Sequence, residues 1–272
     1  MKETAVKKYP VTVFFILAFI ISWSAIWLIF GSEGIPATTE LQQQIGMTIL
    51  LGPVIAGLLL IILYDGSKGL RKLGTSLVKW RASAWWYVLA LFTAPLSTLV
   101  CIELLSLFTS AYTPAVFGSG SPSELIMLGI IGGITIGLLE EVGWTGFAVP
   151  RLLKKYNIYT TGLIVGLLWG AWHFILFWED DSFTKTIPFL LLLTRLFSWL
   201  PAYRILMVWV YDSTQSLLII ILMHASLVAS LATLDPAVTG TDLLIFIIIR
   251  AAIVWAIVGL IAIARKRKMS DS

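Results

Sequence analysis

The chain of 272 residues is 58% hydrophobic and only 12% charged, with a mean hydropathy of +0.93 and a net charge of +4. Soluble domains carry about 25% charged residues, so a water-soluble globule and a free nucleic-acid-binding domain are both excluded. Cys101 is the single cysteine, which leaves no intrachain disulfide, no cysteine zinc motif and no secreted disulfide scaffold.

A helix that crosses a ~30 Å hydrocarbon core needs ~20 mostly apolar residues. Runs of that kind read at roughly 11–30, 44–64, 85–111, 125–148, 159–178, 186–210, 214–234 and 243–264. The sixth and seventh are divided only by the short stretch around Tyr211–Ser213. The first run follows Lys7 and Lys8, as a signal peptide would. It is longer than an apolar signal core of roughly 7–15 residues and no small-residue cleavage site follows, so it is expected to stay as the first helix. Over about 66–84, Leu70, Leu73, Leu77 and Val78 recur at helical spacing among lysines and arginines, with Trp80, Trp85 and Trp86 behind them. That pattern predicts an amphipathic segment lying on the membrane surface.

The charges then orient the chain. Lys2, Lys7 and Lys8, the group from Lys68 to Arg81, the group Arg151, Lys154 and Lys155, Arg204, and the terminal group from Arg265 to Lys268 make sixteen of the 19 basic residues. All of them fall on alternate connections. The other connections carry Glu33, Glu40, Glu124, Glu179, Asp180, Asp181, Asp235 and Asp242, with Lys185 among them. By the positive-inside rule, the expectation is an all-α polytopic membrane protein of eight transmembrane helices with both termini cytoplasmic. It forms a single integral membrane domain over 1–272 with a core at about 125–235, and the bilayer is its first partner. The basic balance (isoelectric point about 9.2) is a topology signal with some attraction to anionic lipid, and no nucleic acid is expected.

Ionisable groups at membrane depth are costly and therefore mark function. Glu140 and Glu141 lie inside IGLLEEVGWTGFAVPRL, and the only two histidines are His173 in GLLWGAWHFILF and His224 in LLIIILMHASLVAS. At ~1.5 Å per residue, Glu140 falls about 13 Å, His224 about 15 Å and His173 about 20 Å from the basic ends of their helices. Three groups from three helices thus reach comparable depth. Adjacent helical residues differ by ~100° in direction, so Glu140 and Glu141 cannot face one pocket equally. Gly133 and Gly137, and the Gly162, Gly166, Gly170 series, supply small faces for close helix packing.

A carboxylate in an apolar site holds a proton more readily and can act as general base toward water. Histidines beside it can orient that water or donate to an oxyanion. The same set, Glu140, His173 and His224, could also hold a divalent metal such as zinc with an open position. Hydrolysis fits both options. A polar clamp, in which the acids and histidines only satisfy one another, stands beside them. Glu103, Arg195 and Arg250 form a second polar set on the outer half, and Glu103 is expected to pair with Arg195 or Arg250 without a catalytic part.

The stretch Glu140-Glu141-Val142-Gly143-Trp144-Thr145-Gly146-Phe147, followed by Pro150-Arg151-Leu152, resembles the first motif of the CPBP family, the type II CAAX prenyl endopeptidase-like and bacteriocin-immunity (Abi) membrane proteins. Trp169 to His173 resembles the second motif and His224 the third. The three motifs lie within 140–228 and are specific as a set. The resemblance implies an intramembrane protease, in a bacterial or archaeal cell membrane, with a water-filled cavity open to the cytoplasm. Its substrate would be a peptide or protein, prenylated or not. Glu140 would activate water, His173 position it, His224 stabilise the oxyanion, and Glu141 support them. The family's usual motif arginine is Thr145 here and its usual asparagine is Val228. Arg151 is the nearest candidate for the missing positive charge, and neither Ser226 nor Ser230 shares the helical direction of Val228. These departures motivate a rival reading, a non-proteolytic scaffold or immunity protein. A proton-coupled transporter is a third, though no inverted repeat is visible. The sequence ends in Met269-Ser270-Asp271-Ser272, which is no CaaX box, so the chain is not expected to be its own substrate.

Overall fold

The structure is a computed structural model describing residues 8–31 and 42–270. Lys2, Lys7, Glu33, Glu40, Asp271 and Ser272 lie outside the described residues. So do the side chains of Arg267 and Lys268.

All eight apolar runs are helical. In chain order the helices are α1 (Pro10–Phe30), α2 (Gln42–Ile49), α3 (Leu51–Leu77), α4 (Ala84–Ser106), the short α5 (Ala115–Gly118), α6 (Pro122–Gly143), a π-helical turn (Trp144–Ala148), α7 (Val149–Leu152), α8 (Ile158–Trp172), the short α9 (Phe174–Phe177), α10 (Thr186–Phe197), α11 (Leu200–Thr214), α12 (Leu217–Thr233) and α13 (Gly240–Ser270). Among the described residues there is no named strand, only an isolated bridge between Pro114 and Pro236. Among the described residues, six helical stretches are long and apolar enough to cross a membrane. The fifth and seventh expected spans are the shorter helices α8 and α12, of 15 and 17 residues. At ~1.5 Å per residue each falls short of a ~30 Å core.

Local chemistry sets the breaks. Gly66 takes φ +58°, a left-handed backbone that glycine adopts without strain, and kinks α3 where the basic segment begins. The expected amphipathic segment is therefore the last turns of α3, which end at Leu77. The expected sixth span is divided at Ser198 and Trp199 and then runs on to Thr214. Pro201, near the start of α11, has no N–H to continue the preceding helix. Asn157 accepts from the Thr160 amide at 2.9 Å and Ser216 from the Ile219 amide at 3.2 Å, capping α8 and α12.

Glycine faces bring the site-bearing helices together. The most extensive helix contact joins α6 to α12, and a Cβ at Gly133 would lie 2.5 Å from the Ala225 carbonyl oxygen. Gly162 and Gly166 of α8 meet Ile205 and Pro201 of α11, where a Cβ would come within 2.5 Å of each Cα. Backbones this close leave no room for side chains, which is how small residues hold helices together in lipid. Helix α11 is buried on nearly every side and forms the centre of the bundle, as expected of a helix apolar all round.

The expected pairing of Glu103 is not found. Arg195 pairs with Glu179 at 3.1 Å and Arg250 with Asp235 at 2.7 Å, while Glu103 is exposed on α4. Both arginines take an acid of an adjoining connection.

Candidate active site

Glu140 and Glu141 end the regular part of α6, one turn before the π-helical stretch. Pro150, having no N–H, cannot bond the Gly146 carbonyl, and the wider π turn lies just before it. Such turns are frequent at functional sites. Adjacent on one helix, the two glutamates face different surroundings.

Glu140 lines a cavity of about 580 Å³ together with His173, His224 and Trp169. Its Oε2 accepts from the indole N–H of Trp144 at 3.0 Å and of Trp169 at 2.7 Å. Its Oε1 takes no hydrogen bond from the protein among the described residues. His173 Nδ1 lies 2.7 Å from the Trp169 carbonyl oxygen, to which only a protonated Nδ1 can donate. In the neutral ring Nε2 then carries the lone pair. The His173 and His224 rings stand edge-on to Trp169, with centroids 5.3 and 5.4 Å from its own. Trp169 thus touches all three ionisable side chains.

Glu141 is absent from the cavity wall and fully buried. Arg204 Nη1 donates to both of its oxygens at 2.9 Å, Thr145 Oγ1 donates to Oε2, and His224 Nδ1 donates to Oε1 at 2.8 Å. Each oxygen therefore accepts twice, which fills the acceptor capacity of a carboxylate. The guanidinium of Arg204 also lies over the Trp169 indole, 4.2 Å from its centroid, an arrangement that strengthens when desolvated. A carboxylate so occupied has no lone pair left for water. Its contacts instead fix the angle of the His224 ring.

The charge pattern places Arg204 on a basic connection. It is in fact fully buried in α11. It supplies the positive charge that Thr145 lacks, and Arg151 does not: Arg151 pairs with Asp65. The available signal was an arginine set in the apolar run PAYRILMVWV. Trp144 and Trp169 were not given roles either, although Trp144 follows Glu140 by one helical turn and Trp169 precedes His173 by one. Ser226 and Ser230 donate to the Leu91 and Ser226 carbonyls, so neither replaces the asparagine missing at Val228.

The lining of the cavity lies toward one end of the bundle. Beyond the three site residues its lining runs to Phe177, Leu231 and Asp235, with Arg195 and Arg250. These residues stand toward the helix ends that carry the acidic connections. Toward the basic ends, α6 crosses α3 so closely that a Cβ at Gly57 would lie 2.8 Å from Gly143 Cα, and Trp144 and Phe147 fill the remaining space. Among the described residues, no three His, Cys, Asp or Glu side chains cluster closely enough to hold a metal ion.

Fold and site together define a multi-pass membrane protein with one acid and two imidazoles on a shared internal cavity. Residues 122–230 match the family model described as Rce1-like: Type II CAAX prenyl endopeptidase Rce1-like. The matched span includes Glu140, His173, Arg204 and His224. A 48-residue stretch is 33% identical to the CAAX prenyl protease 2 of Methanococcus maripaludis, covering 18% of this chain and 18% of that relative.

Proposed function

We propose that the protein is an intramembrane endopeptidase that cleaves a peptide bond with water activated by Glu140, in a bundle of eight crossings with both ends on the basic side. One observation carries this reading: the free Oε1 of Glu140 shares a cavity with two histidines whose Nδ1 atoms are already committed. Glu140 takes a proton from water, and the hydroxide adds to the carbonyl carbon of the scissile bond. His173, through its Nε2 lone pair, accepts from the same water and aims it. The tetrahedral oxyanion forms beside His224. Its Nε2 donates when the ring carries both protons, and the Glu141 carboxylate at Nδ1 balances that charge. Glu140 then returns its proton to the leaving amine, giving a free acid and a free amine.

Two indole donors hold the Glu140 carboxylate in place before reaction, so little reorganisation is left for the chemical step. The substrate would be a peptide or protein that reaches Glu140 from the end of the bundle bearing Asp235; a prenyl group on it belongs to the relatives' printed names and is tested by comparing lipidated and plain peptides. No step passes through a metal, since the donors do not converge as a three-ligand set.

Purified protein in lipid nanodiscs should cleave members of a peptide library, and Glu140→Gln should lower that cleavage by roughly 10²–10⁴-fold with the fold unchanged. Cleavage at the parent rate in the variant overturns the mechanism.

A second reading rests on Val228, which lines the cavity without any donor. A scaffold or immunity protein that has lost proteolysis would keep this wall apolar. It predicts that Glu140→Gln leaves the cellular phenotype of the gene intact.

A further inference from the structure

On the basic face, away from the Glu140 cavity, a second pocket of about 290 Å³ is lined by Asp65, Lys68, Lys72, Arg151 and Lys154 over an apolar floor that includes Leu73 and Leu217. Two separate elements build it. The Gly66 kink turns the last part of α3 so that Lys68 and Lys72, one helical turn apart, share a face. The segment after the π turn brings Arg151 and Lys154 opposite them.

Only one of the four cations is neutralised. Arg151 pairs with Asp65, donates to the Phe147 carbonyl at 2.9 Å and lies over the Phe147 ring. Lys68, Lys72 and Lys154 have no acidic partner among the described residues, which leaves a net charge of +3 on one small concavity. Like charges held this close repel, and an anion placed among them relieves that repulsion.

The geometry points to an anion site here that takes a phosphate group, presented by the head group of an anionic phospholipid. The apolar floor and the exposed Trp80 and Trp85 on the same side place the pocket at the height where head groups meet acyl chains, since tryptophans collect at that boundary. Basic pockets between helices on such a face suit anionic head groups. Free inorganic phosphate offers the same chemistry without the tail. Gly146, Pro150 and Arg151 on the pocket wall continue the helix that carries Glu140, so the occupant rests against the segment that presents the acid.

The test titrates the purified full chain in neutral detergent with short-chain phosphatidylglycerol, short-chain phosphatidylcholine and inorganic phosphate separately. The triple variant Lys68→Gln, Lys72→Gln, Lys154→Gln should weaken phosphatidylglycerol binding about 100-fold and leave phosphatidylcholine binding unchanged. Lys72→Gln alone should weaken it about fivefold. Loss of inorganic phosphate binding in the variant, with no preference between the two lipids in the wild type, identifies the free anion as the source. The control Arg71→Gln, Lys79→Gln, Arg81→Gln removes equal charge from the same face outside the pocket. Equal losses in both triple variants, or none in either, overturn the site.

Discussion

Two carboxylates one residue apart occupy opposite environments in this protein. The Glu140 side is a cavity wall, where one oxygen is fixed by two tryptophans and the other is free. The Glu141 side is sealed, with an arginine, a threonine and a histidine filling both oxygens. Reactivity depends on which lone pairs the protein leaves unspent, and burial alone does not supply that: both residues are nearly inaccessible to solvent. The sealed side does structural work for the open one, because the Glu141 contact at Nδ1 sets the plane of the His224 ring.

Substitutions on the two sides should therefore fail in different ways. The largest effect is expected from Glu140→Gln, which removes the general base and should lower cleavage by roughly 10²–10⁴-fold, with thermal stability close to that of the parent. Cleavage assays beside melting curves of the same sample separate the two readouts. Loss of stability in step with loss of cleavage would erase the distinction between the two acids.

Glu141→Ala should do the reverse. It strands the buried Arg204 without its counter-charge and should cost about 3–5 kcal/mol of stability. Replacing both partners by apolar side chains, Glu141→Leu with Arg204→Met, should recover much of that loss. A double variant no more stable than Glu141→Ala would show that the pair does not act as a unit.

Next in size, Trp169→Phe keeps the ring and removes one donor to Glu140. A hydrogen bond to a charged group contributes about 1.5–3 kcal/mol, so cleavage should fall by roughly ten- to a hundredfold if that bond is spent on placing the base. Trp144→Phe is the matched comparison on the sealed side of the same oxygen. The smallest effect is expected from Asp65→Asn, whose pair with Arg151 is partly exposed. Such a pair is worth at most about 1 kcal/mol, and cleavage should be unchanged. A large loss there would mean that the basic pocket and the cavity act on each other.

Much of the architecture was legible in the chain. Hydropathy marked eight runs that are all helical, and the glycine spacings marked the faces on which α6 and α8 pack. The break at Ser198 and Trp199 was hidden because the residues around it are as apolar as the helices they divide. The pairing proposed for Glu103 failed because depth along a helix says nothing about which way a side chain points. Arg204 was misplaced for the same kind of reason: charge counting assigns an arginine to the nearest connection, whereas its partner lies 63 positions away.

From its order of residues alone, this protein was determined to be a helical membrane protein with one acid pair and two histidines at matching depth. The helical period also required that the two acids point in different directions. Which acid faces the cavity, which arginine replaces the missing motif charge, and toward which end the cavity runs were decided only by tertiary packing. The physical reason is that the period fixes angles within one helix, while the rotation of each helix against its neighbours is set by where small residues let the backbones meet.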